Sequence, residues 1–150
     1  EYVALIKKLW KQDVINHRGQ FLTLSGPIKQ YPKPFQDGGP PILIGSNHKS
    51  VTEKVVKYGD GWMPIFNRYE KKTEPLQDLK DLCKKKNKNF DKLLTILFDS
   101  PKNLQELSLL FEKGYKNFVF FPDDQANYDC KDFILSISKL KENFYKLKSH

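Results

Sequence analysis

Residues Pro40 to Phe66 (PPILIGSNHKSVTEKVVKYGDGWMPIF) confine this chain to a narrow set of folds. Two short apolar runs, Pro41 to Ile44 and Trp62 to Phe66, flank a polar stretch in which Val51, Val55 and Tyr58 recur at helical spacing. Strand, helix and strand in that order make a β-α-β unit, with parallel strands joined by a right-handed crossover. Ser50 and Glu53 form the Ser-x-x-Glu signature of a capping box. Gly59-Asp60-Gly61 predicts a helix stop through a left-handed residue, followed by a tight reversal. Between the first strand and its helix stand Gly45, Ser46, Asn47 and His48. Backbone N–H groups at such a junction, with the positive end of the helix dipole, suit an anion such as phosphate.

The rest of the chain repeats this alternation. An opening helix carries an apolar stripe of Tyr2, Leu5, Ile6, Leu9 and Trp10. No capping residue precedes it, so the helix is expected to start before Glu1. Asp13 to Leu24 reads as a loop with a short extended piece at Gln20 to Leu22, and His17 as a packing residue of that loop. Gly26 to Gly39, rich in proline and glycine, is neither helix nor central strand. It reads as a packed connection anchored by Tyr31 and Phe35, with an interdomain linker as the competing reading. A helix of about Glu74 to Lys86 follows, with Thr73 as N-cap and Leu76, Leu79, Leu82 and Cys83 facing inward. Leu93 to Phe98 is a continuous apolar run of the kind buried on both faces of a sheet. Its helix carries Leu104, Leu107, Leu110 and Phe111 and ends at Gly114. Phe118 to Phe121 is the fourth strand, and Phe133, Ile134, Ile137, Leu140 and Phe144 mark the last helix. Four strands alternating with four helices, after one opening helix, predict an α/β fold with a parallel sheet.

Charge and composition exclude several classes. The 150 residues, 39% of them apolar, are enough for one domain with a core over residues 1–150. No apolar run reaches the length of a membrane span. Cys83 and Cys130 lack metal-ligand spacing, so a reducing cytoplasm is the expected setting. The net charge of +8 is spread over lysines on predicted outer helix faces, without a recognition motif. Nucleic-acid binding ranks last among the functions considered.

Three motifs in order carry a resemblance: Tyr31-Pro32-Lys33-Pro34-Phe35-Gln36, Pro40-Pro41-Ile42-Leu43-Ile44-Gly45, and Tyr58-Gly59-Asp60-Gly61-Trp62-Met63-Pro64. Leu9-Trp10, Val14 to His17 and Gly19-Gln20-Phe21 fit the same pattern upstream. The chain resembles the bacterial luciferase-like monooxygenases, most closely those using FMN or a deazaflavin coenzyme. The resemblance implies a (β/α)8 TIM barrel, of which this chain is the C-terminal half: four βα units and the tail of a preceding helix. A full barrel needs about 250 residues, so a longer protein, or one encoded in two pieces, is expected.

The resemblance also implies a site. Barrel active sites lie at the C-terminal ends of strands, which puts Gly45-Ser46-Asn47, Phe66-Asn67-Arg68, Asp99-Ser100 and Pro122-Asp123-Asp124 around one mouth. Gly45, Ser46 and Asn47 would approach the cofactor phosphate, with Ser46 standing where the family has a second glycine. Phe66, Asn67 and Arg68 would line the substrate side. Lys54 reads as a solvated helix charge rather than a phosphate ligand, Trp62 as a packing residue first and a ligand-pocket residue second, and Asp60 as a turn and helix-stop residue rather than a base. Asp123 and Asp124 diverge in an extended chain and do not form an acid/base pair. No catalytic residue or metal site is assigned, since the resemblance places the reaction's proton-handling groups in the other half. The implied activity is that of a flavin- or deazaflavin-dependent oxidoreductase acting on a small molecule. A non-enzymatic half-barrel module is the alternative. The two open sheet edges predict pairing with an N-terminal half barrel or a second chain, including a homo-oligomer.

Overall fold

In the computed structural model, residues 1–48, 50–66, 75–125 and 127–148 are described. They form two compact units, Glu1–Ile42 and Leu43–His150. No helix among these residues is long and apolar enough to cross a membrane.

The first unit is built on helix α1 (Tyr2–Lys11). Of its predicted stripe only Leu5 is buried, while Tyr2 and Ile6 remain exposed. Behind the helix, Ile15 and Ile28 pair antiparallel through reciprocal N–H···O bonds of 3.0 and 2.9 Å. The Glu1 carboxylate accepts from the Phe21 and Leu22 N–H groups at 2.9 Å and lies 2.9 Å from His17 Nε2. Those bonds, the His17 bond first, hold its pKa down at about 2. His17 is thus a loop-packing residue.

The proline-rich segment packs, but not through its aromatic side chains. Tyr31 and Phe35 are both exposed. Lys33 instead reaches back to the end of α1, where its Nζ donates to the Leu9 carbonyl at 2.8 Å and to that of Gln12. Carbonyls of a last helical turn have no partners of their own, so an ammonium there replaces water at little cost. Gly39 lies against the Trp10 ring, in space that any Cβ would fill.

The second unit is a four-stranded parallel sheet in the order β1-β2-β3-β4. The strands are Leu43–Ile44, Gly61–Trp62, Leu94–Leu97 and Asn117–Phe118, and a bridge from Ile65 to Phe98 extends the β2–β3 pairing. Helices α2 (Val51–Tyr58), α3 (Pro75–Lys85), α4 (Leu104–Lys113) and α5 (Cys130–Lys148) alternate with them. The four βα units therefore stand as read from the sequence, with strands shorter than the apolar runs. The expected N-cap Thr73 lies outside the described residues.

Register sorts the side chains. Ile44, Trp62 and Thr95 align on one face, and Leu97 with Phe118 continues it. On that side Trp62 and Leu97 join Val51, Val55, Leu76, Leu79 and Cys83 in a single core. Thr95 is buried there without penalty, because its hydroxyl donates to the Gly114 carbonyl at 3.0 Å. Leu94 and Ile96 point the other way, and Leu94 is 39% exposed. The apolar run of β3 is thus covered on its helix side and only partly on the other. That corrects the expectation of burial on both faces.

Helix ends depart from the sequence expectation in two places. The Ser50–Glu53 capping box does not form: Ser50 makes no side-chain cap bond, and its Oγ lies 2.8 Å from His48 Nδ1 instead. Gly59 is extended (φ −88°), not left-handed. The glycine is needed for space, since a Cβ there would meet Ile44 Cγ1 at 2.9 Å. The stop comes from Lys88, whose Nζ donates to the carbonyls of Val55, Val56 and Gly59 at 3.2, 3.0 and 2.9 Å. Gly114 does end α4 in the left-handed region (φ +115°), its N–H bonding the Leu110 and Phe111 carbonyls.

Two outcomes are expected. The Glu1 carboxylate titrates lower in the folded chain than in the unfolded one, so its contribution is present above the ordinary value of 4.5. The contribution is lost as pH falls toward 2. Amide spectra of Phe21 and Leu22 should therefore hold their positions down to about pH 3 and shift below it. In the sheet, a Cβ on Gly61 would collide with the Leu94 carbonyl, whereas one on Gly45 meets nothing nearer than 3.8 Å. Gly61→Ala should cost about 3 kcal/mol in urea unfolding, and Gly45→Ala well under about 1 kcal/mol.

Candidate functional site

The junction between β1 and α2 is held from below by β2. Ile44 is paired through its carbonyl with the Met63 N–H at 3.1 Å. Trp62, wholly buried in the core, turns its indole Nε1–H to the Ser46 carbonyl at 3.0 Å. Asn47 clamps the next step of the chain: its Nδ2 donates to the Ile65 carbonyl at 2.8 Å, and its Oδ1 accepts from the Ile65 N–H at 3.0 Å. An amide side chain that satisfies both backbone groups of one residue acts like a local strand pairing. It fastens the loop to the C-terminal end of β2.

The start of α2 closes on itself. Ser46 Oγ accepts from the His48 N–H at 3.1 Å, the His48 carbonyl accepts from the Val51 N–H at 2.8 Å, and His48 Nδ1 accepts from the Ser50 N–H at 3.2 Å. Three of the donors that a helix N-terminus could offer an anion are thereby used. The N–H groups of Ser46 and Asn47 have no acceptor among the described residues. Gly45 beside them is exposed, and a Cβ on it would touch Met63 only at ordinary contact distance, 3.8 Å. The two N–H groups, just before a helix N-terminus, are candidate donors to a small anionic group such as a phosphate. Sequence reading missed His48, whose only signal is a polar side chain two residues before Ser50.

A second cluster gathers at the ends of β2, β3 and β4. Phe66, Asp99, Ser100, Lys102, Phe121 and Asp123 line a cleft of about 410 Å³. Of the residues expected around one mouth, Phe66, Asp99, Ser100, Pro122 and Asp123 line this cleft, while Gly45, Ser46, Asn47 and Asp124 do not. Asp99 sits in the left-handed region (φ +57°), a conformation that costs a non-glycine residue of the order of 1 kcal/mol. Ser100 is buried and donates its Oγ–H to the Leu97 carbonyl at 2.7 Å. Lys102 Nζ pairs with Asp123 Oδ1 at 2.6 Å, while the Asp124 carboxylate accepts from the Asn127 N–H. The adjacent aspartates thus serve different partners. Asn67 and Arg68 lie outside the described residues.

Groups suited to covalent or metal chemistry are sparse. Burial pushes the Cys83 thiol above its ordinary pKa, which disfavours the thiolate, and Cys130 is exposed at the start of α5. Among the described residues no group of three or more His, Cys, Asp or Glu is placed to hold a metal ion. Among the described residues the arrangement offers two backbone N–H groups without an acceptor after β1 and a cleft at the strand ends.

The clamp makes a prediction. Asn47→Ala strips both partners from the Ile65 peptide and should cost about 2 kcal/mol in chemical denaturation. His48→Ala, which removes exposed local bonds, should cost less than about 1 kcal/mol. Equal losses for the two would contradict the clamp.

In comparison with known proteins, the family model described as luciferase-like monooxygenase matches residues 1–126. No curated protein matches the chain.

Proposed function

The chain belongs to the luciferase-like monooxygenase family, and from that membership we propose that it forms the cofactor-phosphate side of a flavin- or deazaflavin-dependent oxidoreductase acting on a small organic substrate. The fold is part of the family's TIM barrel, and the family's chemistry is of the oxidoreductase type. FMN and a deazaflavin are both compatible with the residues present. When bound, such a cofactor supplies hydride transfer or the activation of oxygen.

The observation that carries the reading is the pair of Ser46 and Asn47 N–H groups after the end of β1, beside the exposed Gly45. Backbone donors held rigid before the ligand arrives need no reorganisation to receive it. In this reading Gly45, Ser46 and Asn47 hold the cofactor phosphate. Phe66 walls the substrate side together with Asn67 and Arg68. The cleft at Asp99–Ser100 and Asp123 shields the same end of the sheet from water. Proton handling falls to residues beyond this half of the barrel.

A second reading has its own observation. The sheet face bearing Leu94 is incompletely covered, and β1 and β4 are its outer strands. That supports a partner for this half: an N-terminal half barrel, or a second copy in a homo-oligomer. Taken alone, the same feature suits a non-enzymatic half-barrel module that binds another protein.

Fluorescence titration of FMN and of a deazaflavin coenzyme separates the two. The oxidoreductase reading expects saturable binding when both halves of the barrel are present, and weak or no binding by residues 1–150 alone. Absence of binding of either cofactor to the completed barrel would overturn the reading in favour of the module.

A further inference from the structure

We infer that Trp62 is a positioning residue for the proposed cofactor site, acting through the peptide bond between Ser46 and Asn47; this rests on the reading of that loop as the phosphate-binding one. The peptide is trans, so the Ser46 C=O and the Asn47 N–H point in opposite directions within one rigid plane. The carbonyl side is fixed, because Trp62 Nε1 donates to it at 3.0 Å. The Asn47 N–H is thereby turned away from the indole, and so away from the helix-covered side of the sheet where Trp62 is buried.

The fixture is stiff at every point. Trp62 is 0% exposed and packed in the core, so its ring cannot follow a loop that moves. From the other end, the Asn47 side chain holds the Ile65 peptide through two bonds. The Ser46 hydroxyl accepts from the His48 N–H, which keeps that donor from competing for the same anion. A peptide plane gripped at its carbonyl and at the next side chain has little freedom to flip. Its remaining donor, the Asn47 N–H, is presented in one direction.

The indole N–H, rather than the bulk of the ring, sets this direction. Phenylalanine at the same place keeps most of the packing and removes the donor. The substitution separates positioning from stability, which a purely structural tryptophan would not allow.

The test begins on the wild-type protein without ligand. Amide hydrogen exchange should be fast at Asn47, whose N–H is turned outward, and slow at His48, whose N–H is bonded. Protection at Asn47 equal to that at His48 would overturn the inference without any reference to a cofactor. Inorganic phosphate, then FMN and a deazaflavin, are next titrated into the completed barrel while the Asn47 amide signal is followed. The Asn47 shift should move with phosphate and with the binding cofactor. In Trp62→Phe the affinity should fall about tenfold, as for loss of one oriented donor to a charged group. Wild-type affinity in a folded Trp62→Phe protein would overturn the positioning role while leaving the proposed function intact. Absence of any wild-type response to phosphate and both cofactors would overturn the proposed function itself, and with it this inference.

Discussion

The second unit depends on one close approach, the passage of the β2 backbone between β1 and β3 at Gly61. A Cβ there would meet the Leu94 carbonyl and, at 2.5 Å, Leu43 Cδ2. With hydrogen in that place the strands pair in register, Leu43 with Gly61 and Gly61 with Leu94. The next residue must then point to the opposite face, because side chains alternate along a strand. That residue is Trp62, which carries the largest fully buried side chain of the chain's described part. Its ring fills the core between sheet and helices, and its one polar atom emerges at the Ser46 carbonyl. Packing and site geometry thus share one side chain.

The sheet is finished on one face and unfinished on the other. Helices α2 and α3 supply the apolar residues that cover Trp62 and Leu97. The opposite face carries Leu94, which stays partly exposed. A parallel sheet is ordinarily covered on both sides, and in a closed barrel the inner side chains fill the interior in layers. On the Leu94 face the four βα units leave that demand partly unmet. The family match over residues 1–126 and the parallel four-stranded sheet are consistent with part of such a barrel.

Much of this was legible in the sequence, and the misreadings have physical causes. Among the described residues of the second unit, the alternation of apolar runs with amphipathic stretches located the four strands and four α-helices, because period two and period 3.6 are set by backbone geometry. The 3-10 turn at Phe90–Lys92 was not located. Gly59 was read as a left-handed stop, yet it is extended and crowded by Ile44. A sequence does not distinguish a glycine needed for its φ from one needed for its size. The actual stop, Lys88, lies 29 residues from Gly59 and has no local signature. Ser50 and Glu53 have the spacing of a capping box, but the nearer His48 takes the serine hydroxyl. Tyr31 and Phe35 looked like anchors because they are aromatic, while Lys33, charged and expected in water, holds that loop. Within the site, the placement of Gly45, Ser46 and Asn47 at a strand end was readable. The use of the Asn47 side chain on Ile65 was not, since it needs a register between two strands.

The most direct measurement is the position of the cofactor phosphate in a crystal of the completed barrel grown with FMN or a deazaflavin. The account predicts the phosphate within hydrogen-bonding reach of the Ser46 and Asn47 N–H groups, beside Gly45. A phosphate seated elsewhere, such as at Lys102 across the strand ends, would contradict it.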